Sequence, residues 1–328
     1  MQLDAAALLQ PISADRPCGD DLEDTQLLAS FDAYRVFGQA TPLTDGVDWR
    51  EIRDRSLEAL GTSKDLRLLT HLASAAVRTD GLDTFAEVVS VGSKWLGTWW
   101  SDVYPKVEDD FILRRNALNG LADRMAIVDG LRRAPVLAHR QLGSFSIRDI
   151  EIATGQIPPP EGEAQPPDAA RLNAVLTGTE VSELRATAAR LDAVLQSLKD
   201  IESSMREQGG IEAAPDFTPV STPVARTLRL LNEHIATRAA EESPGAQGNG
   251  AAADGPTVAV GSIRSREDAM RALDAVALFF RRNEPSSPIP LFIERAKRLV
   301  AKDFLEVLAD VAPDALSQAK AAGGVRDE

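Results

Sequence analysis

Almost everywhere that apolar residues recur along this chain they recur every three or four positions, the period of the α-helix. Asp48 opens one such stretch, Glu51 follows three residues later as in a capping box, and Gly61 closes it. Trp49, Ile52, Leu57 and Leu60 share its face. Ser63 starts a second helix through Leu66, Leu69, Leu72, Ala73, Ala76 and Val77, ending at Gly81. A third covers 82–100, with Gly92 and Gly97 as weak points in its middle. Residues 110–121 and 123–133 give two more, stopped at Pro135. From Val181 through Leu184, Leu191, Val194, Leu198 and Ile201 to Met205 the spacing predicts one helix of about 25 residues. Ser265 and Asp268 cap another, with Ala269, Leu273, Val276, Ala277 and Phe280 on its face and Pro285 at its end. Pro290 suits the first turn of a last helix through Leu291, Ala296 and Leu299. Only residues 144–152 alternate like a strand, and a lone strand has nothing to pair with. The expectation is an all-α fold: an N-terminal helical bundle or stack, a middle helical segment and a small helical C-terminal module.

Two stretches punctuate the pattern. Residues 156–168 carry five prolines and three acids, the composition of a stiff, extended linker; residues 241–262 are rich in Gly and Ala, as flexible linkers are. The division expected is therefore 1–155, 156–240, a linker at 241–262, and 263–328. Charge divides unevenly along it. The chain of 328 residues has a net charge of −14, yet residues 261–328 balance 11 basic against 11 acidic residues. That neutral piece is the one least repelled by a copy of itself.

The same acidity argues against nucleic acid as a partner, since phosphate needs a basic face. The start of the chain lacks a basic segment ahead of an apolar run, and no apolar run approaches the ~18 residues of a membrane span. The expected location is cytoplasmic, without direct membrane insertion. A single cysteine, Cys18, and three histidines leave little for a thiolate or histidine metal centre. No Walker loop, GxSxG elbow, HExxH, CxxC or GxGxxG occurs. The acidic run Asp20, Asp21, Glu23, Asp24 lacks the spacing of a calcium loop and reads as a solvated loop or first helical turn. Cys18 lies among acids that raise a thiol's pKa, so it reads as inert packing. His71 reads as a core or boundary histidine, and His139 and His234 have no locatable Ser or Cys partner. No catalytic residue, cofactor site or metal site is expected, and the chain is not expected to be an enzyme; an unrecognised all-α active site is the rival reading.

Two features suggest contacts instead. Trp95, Trp99, Trp100 and Tyr104 cluster, and Trp100 points about 100° from Trp99 on a helix. Trp100 either packs under the loop that follows or anchors a partner. The stretch Arg281, Arg282, Asn283, Glu284, Pro285, Ser286, Ser287, Pro288, Ile289, Pro290 reads as a rigid corner between two amphipathic helices, a plain connector or a preorganised assembly surface. Arg295 and Arg298, with Lys297, could pair with a neighbour's acids or solvate their own helix.

Specific residues carry a resemblance. Pro11-Ile12-Ser13, Pro17-Cys18-Gly19-Asp20-Asp21-Leu22-Glu23, Asp48-Trp49-Arg50, Lys64-Asp65-Leu66-Arg67, Trp99-Trp100-Ser101-Asp102-Val103-Tyr104-Pro105 and Arg115-Asn116-Ala117-Leu118 follow one another in order. As an ordered set they resemble the N-terminal region of the TssA (ImpA-related) family of the bacterial type VI secretion system. Ser101 and Tyr104 depart from it, where the family often has Asp and His. Ser265-Arg266-Glu267-Asp268-Ala269, Phe280-Arg281-Arg282, Glu284-Pro285-Ser286-Ser287-Pro288-Ile289-Pro290 and Arg295-Ala296 look like the C-terminal region of its short forms.

The resemblance implies a non-enzymatic assembly component of a contractile injector. It implies a homo-oligomeric ring, six-fold or a multiple, that associates with the baseplate and helps recruit or prime the Hcp tube and the TssB/TssC sheath. Implied partners are another copy of the chain, baseplate proteins, Hcp, VgrG, the sheath and, through protein contacts, the membrane complex at the inner membrane. A cap on the distal end of the growing sheath, and a cytoplasmic scaffold unrelated to secretion, are the alternatives.

Overall fold

The computed structural model describes residues 3–41, 46–107, 111–159, 165–241, 266–283 and 288–300. They fall into two units that divide after Ala246. The described residues are predominantly helical, as the periodicity predicts.

In the first unit, two short helices, α1 (Ala5–Leu8) and α2 (Gln26–Asp32), precede three longer ones: α3 (Trp49–Leu60), α4 (Leu66–Thr79) and α5 (Leu82–Thr98). Asp48 caps α3 as expected, its Oδ1 accepting from the backbone N–H groups of Arg50 and Glu51 at 3.0 Å each. Glu51 does not complete a capping box; Tyr34 donates its hydroxyl to it instead. The second helix starts later than Ser63, at the cap Asp65, because Ser63 and Asp65 form β-bridges to Gly19 and Tyr104. Helix α4 is the centre of the unit. Every residue from Leu66 to Val77 except Arg67 is buried, as expected of a helix packed on all sides. It touches α3, α5, α6 (Ile112–Asn119) and α7 (Asp129–Arg133). Gly92, a weak point in the sequence pattern, permits the α4–α5 approach. A Cβ there would lie 2.7 Å from a Leu69 methyl carbon.

The expected helix over 123–133 is instead a π-helical turn, Arg124–Val128, running into α7. The expected start at 110 lies outside the described residues. The alternating stretch at 144–152 is a strand only in its first part. Strand β1 (Pro135–His139) pairs antiparallel with β2 (Gly143–Ser146), so the strand has a partner after all. Residues 147–153 then form α8 (Ile147–Ala153), whose capping box joins Ser146 and Asp149. The period-2 pattern misled there because Ile147, Ile150 and Ile152 serve a helix face as well.

Past the proline-rich stretch come α9 (Ala169–Gly178), α10 (Val181–Gly209) and α11 (Thr218–Glu241). Helix α10 spans 29 residues and buries Leu184, Leu191, Val194, Leu198, Ile201 and Met205, the stripe expected from the sequence. It lies against α5 on one side and α11 on the other. Residues 181–241 therefore join the core built by 49–98. In the second unit, α12 (Arg266–Asn283) packs on α13 (Ile289–Val300) as a helical hairpin. Pro290 sits in the first turn of α13, as expected. The expected stop at Pro285 lies outside the described residues. Among the described residues, no helix is long and apolar enough to cross a membrane.

Candidate functional site

Three of the sequence motifs of the N-terminal half, 17–23, 64–67 and 99–105, converge on one knot beneath α1. Cys18 accepts a backbone hydrogen bond from Lys64 at 2.9 Å, and Thr62 accepts one from Asp20 at 3.1 Å. Tyr104 donates to the Lys64 carbonyl at 3.0 Å and accepts from Leu66 at 2.8 Å. Gly19 is required here: its φ is +75°, and a Cβ would stand 2.0 Å from the Thr62 carbonyl. Lys64 is buried, donating from Nζ to the Leu8 carbonyl at 2.7 Å, which also accepts from Trp95 Nε1 at 2.8 Å. The same ammonium lies 5.2 Å and 4.9 Å from the ring centres of Trp95 and Trp99. Burial lowers its pKa.

Arg114, also buried, ties the loop after α5 to α6. Its guanidinium donates to the carbonyls of Trp100 (3.0 Å), Val103 (2.7 Å) and Pro105 (2.9 Å). It stacks 4.7 Å over the Trp100 ring, which also meets Phe111 at 6.4 Å. Trp100 is thus half-buried beneath its own loop. Arg67 holds both oxygens of Asp65 and one of Glu23. Burial alone would lower its pKa, but the two carboxylates outweigh that and raise it. Cys18 is buried and its pKa rises to about 11, mainly through desolvation and then the charge of Asp102, which keeps it a thiol. These residues fasten chain segments to one another.

Beside the knot lies an open groove of about 790 Å³ between α2 and α6, floored by α4. Phe31, Phe37, Thr70, His71, Leu113 and Ala117 give it an apolar body, and Asp24, Asp32 and Asp123 stand among its acids. His71, 6 % exposed, packs against Phe31 and Phe37, with ring centres 5.0 and 4.9 Å away. Among the described residues its Nδ1 has no hydrogen-bond partner, and desolvation lowers its pKa to about 4. The sequence placed His71 at a core boundary but could not show a groove there, because α2, α4 and α6 come together only in the fold. Among the described residues no cluster of His, Cys, Asp and Glu is arranged to hold a metal ion.

The second candidate surface is the α12–α13 hairpin. Ala277 and Ile293 are buried, and two ion pairs brace it: Arg281 to Glu294 at 3.1 Å, and Lys297 to Asp274. Outward it presents Val276, Leu278, Phe279, Ile289, Leu291 and Phe292. Phe279, Leu291 and Phe292 are 56 %, 75 % and 67 % exposed. Of the residues singled out in the sequence, Arg281, Pro288, Arg295 and Arg298 are exposed, and Pro290 is half-buried. Arg282 lies in α12, its side chain outside the described residues, as are Glu284, Pro285, Ser286 and Ser287. The exposed phenylalanines Phe279 and Phe292 went unnoticed beside the proline corner.

Residues 9–123 match the family model described as "ImpA, N-terminal, type VI secretion system". Along 99 % of its length the chain is 30 % identical to the type VI secretion system component TssA1 of Pseudomonas aeruginosa, whose full length is covered. The fold is similar to the N-terminal domain, including the conserved ImpA_N region, of the TssA component from Burkholderia cenocepacia. That match has a TM-score of 0.56 and 26 % identity, and it covers 73 % of this chain and 96 % of the other. With a relative matched end to end and the motif knot of the N-terminal half in place, the chain belongs to the TssA family of type VI secretion system components.

Proposed function

We propose that the chain is a non-enzymatic assembly component whose second unit builds a homo-oligomeric ring, six-fold or a multiple of it. The ring associates with the baseplate of the secretion apparatus. From there the first units engage the Hcp tube, VgrG and the TssB/TssC sheath, and meet the membrane complex at the inner membrane only through protein contacts. The observation that carries this reading is the apolar outer face of the α12–α13 hairpin. Among the described residues of the second unit Phe279, Leu291 and Phe292 stay exposed, and oligomerisation is the usual remedy in so small a unit. A closed ring also multiplies weak contacts of the first unit through effective concentration.

Size-exclusion chromatography with light scattering on the full-length protein tests the ring. The wild type is expected to run as a multimer of several copies. Phe279→Asp with Leu291→Asp is expected to give a monomer whose first unit melts unchanged. A wild-type monomer at micromolar concentration overturns the proposal. Fluorescent fusions then locate the role: foci fixed at the envelope fit a baseplate component, and foci that travel with the sheath tip fit a distal cap.

A further inference from the structure

The groove between α2 and α6 has the make-up of a docking site. In the first unit, the large apolar side chains exposed among the described residues are Leu27, Ile112, Leu113 and Ile211. One of these four, Leu113, lines the groove, among the buried or half-buried Leu28, Phe31, Phe37 and Ala117. Singly scattered apolar residues on a convex surface need no explanation, but one that is 56 % exposed in a concave, largely apolar surface does. In the floor, His71 brings a second, independent sign. Its ring is buried, lines the groove, and among the described residues leaves Nδ1 without a partner, which a buried polar atom does at a cost that a ligand could relieve.

The rim fixes the charge of the occupant. Arg67 is the cation of the lining, and it is already held by Asp65 and Glu23. Asp123 is spent on backbone groups, accepting from Gly38, Met125 and Ala126. Asp24 and Asp32 are exposed at the groove, and no cation pairs with either among the described residues. Such a rim repels anions and attracts lysine or arginine. It equally disfavours a second copy of this acidic unit.

We infer that this groove docks a short amphipathic segment of a partner protein, aliphatic on one side and basic at its edges. Its aliphatic side chains pack on Phe37 and Leu113, its basic ones pair with Asp24 and Asp32, and one of its polar groups meets His71 Nδ1. The inference does not rest on ring assembly, since every residue it uses belongs to the first unit.

Fluorescence anisotropy on the full-length protein tests it. The probe is a labelled amphipathic helix of about 15 residues built from Leu and Lys, the length that grooves of this kind accept. Its scrambled isomer and its Leu/Glu counterpart serve as controls. Leu113→Asp adds a negative charge, so long-range attraction would strengthen binding; a loss of about tenfold or more can come only from lost apolar contact. Asp24→Lys with Asp32→Lys is expected to weaken binding as much, while the charge-matched exposed pair Asp192→Lys with Glu207→Lys changes it by less than about twofold. No measurable binding of the probe overturns the inference. So does equal binding of the scrambled isomer, preference for the Leu/Glu peptide, or equal weakening by the control pair. Light scattering on the same samples covers the remaining occupant. A mass for Leu113→Asp that is lower than the wild type's but still multimeric would mean that the groove is filled by another copy, and would overturn the inference while leaving the ring intact.

Discussion

His71 turns one face to the core and the other to the groove, and its titration follows from that position. In the unfolded chain the imidazole takes its proton near 6.5; in the fold, desolvation between Phe31 and Phe37 lowers this to about 4. Between those values the unfolded state binds the proton and the folded state does not. Stability therefore falls as pH drops from 6.5 toward 4, and the loss from this residue levels off below 4. Its full size is on the order of 3 kcal/mol. Urea midpoints at pH 7, 6, 5 and 4 check it against His71→Met, in which carboxylate titration continues but the imidazole is gone. The wild type is expected to lose more stability than the variant across that window; parallel curves would assign the loss to carboxylates. Cys18 gives the opposite case, a buried thiol whose pKa moves away from neutrality to about 11. It is expected to stay unlabelled by maleimide at pH 7.5 until the protein is denatured.

Elements were legible where their cause is local. Asp48 caps α3 because its side chain reaches N–H groups two and three residues away, and the apolar stripe of α10 is complete within its own sequence. They were illegible where the cause is distant, and the π-helical turn is the clearest instance. Val128 donates to the carbonyl of Asp123, five residues back, and the widened turn presents the carbonyls of Met125 and Ala126 to the guanidinium of Arg78. Arg78 also stacks 4.1 Å over the Trp49 ring. No reading of 123–133 alone contains Arg78, so the period of an ordinary helix was the natural expectation. Strand β1 was missed likewise, because it begins at Pro135, a residue that stops helices. The groove belongs to the same class: its floor was marked by His71, but its walls come from α2 and α6. Arg78→Met removes the guanidinium, and with it the stacking on Trp49 and the partner of two carbonyls. At about 1–3 kcal/mol for each unpaired buried group, the variant is expected to lose roughly 2–6 kcal/mol in urea unfolding. A loss under about 0.5 kcal/mol would show that water replaces the guanidinium.

On the scale of the whole molecule, the proline-rich stretch at 156–168 looks like a border in composition and is not one in packing. Helix α10, which follows it, covers α5, and Ile201 lies 3.9 Å from where a Cβ on Gly92 would stand. Arg115 reaches the Glu212 carbonyl at 2.6 Å, and Arg190 pairs with Asp83. A fragment ending at 155 would therefore open the α5 surface that α10 covers, whereas one ending at 241 keeps it closed. Composition could not show this, because a stiff linker costs little chain entropy whether or not the segments it joins embrace. The 1–241 fragment is expected to melt in one cooperative transition, and the 1–155 fragment to aggregate or bind a hydrophobic dye at 25 °C. Adding 165–241 as a separate chain is expected to restore solubility in part, since the interface is preserved without the connection. If 1–155 melts cooperatively at the same temperature as 1–241, the α5–α10 contact is a docking of two self-sufficient domains, and the first unit could open between them when a partner binds.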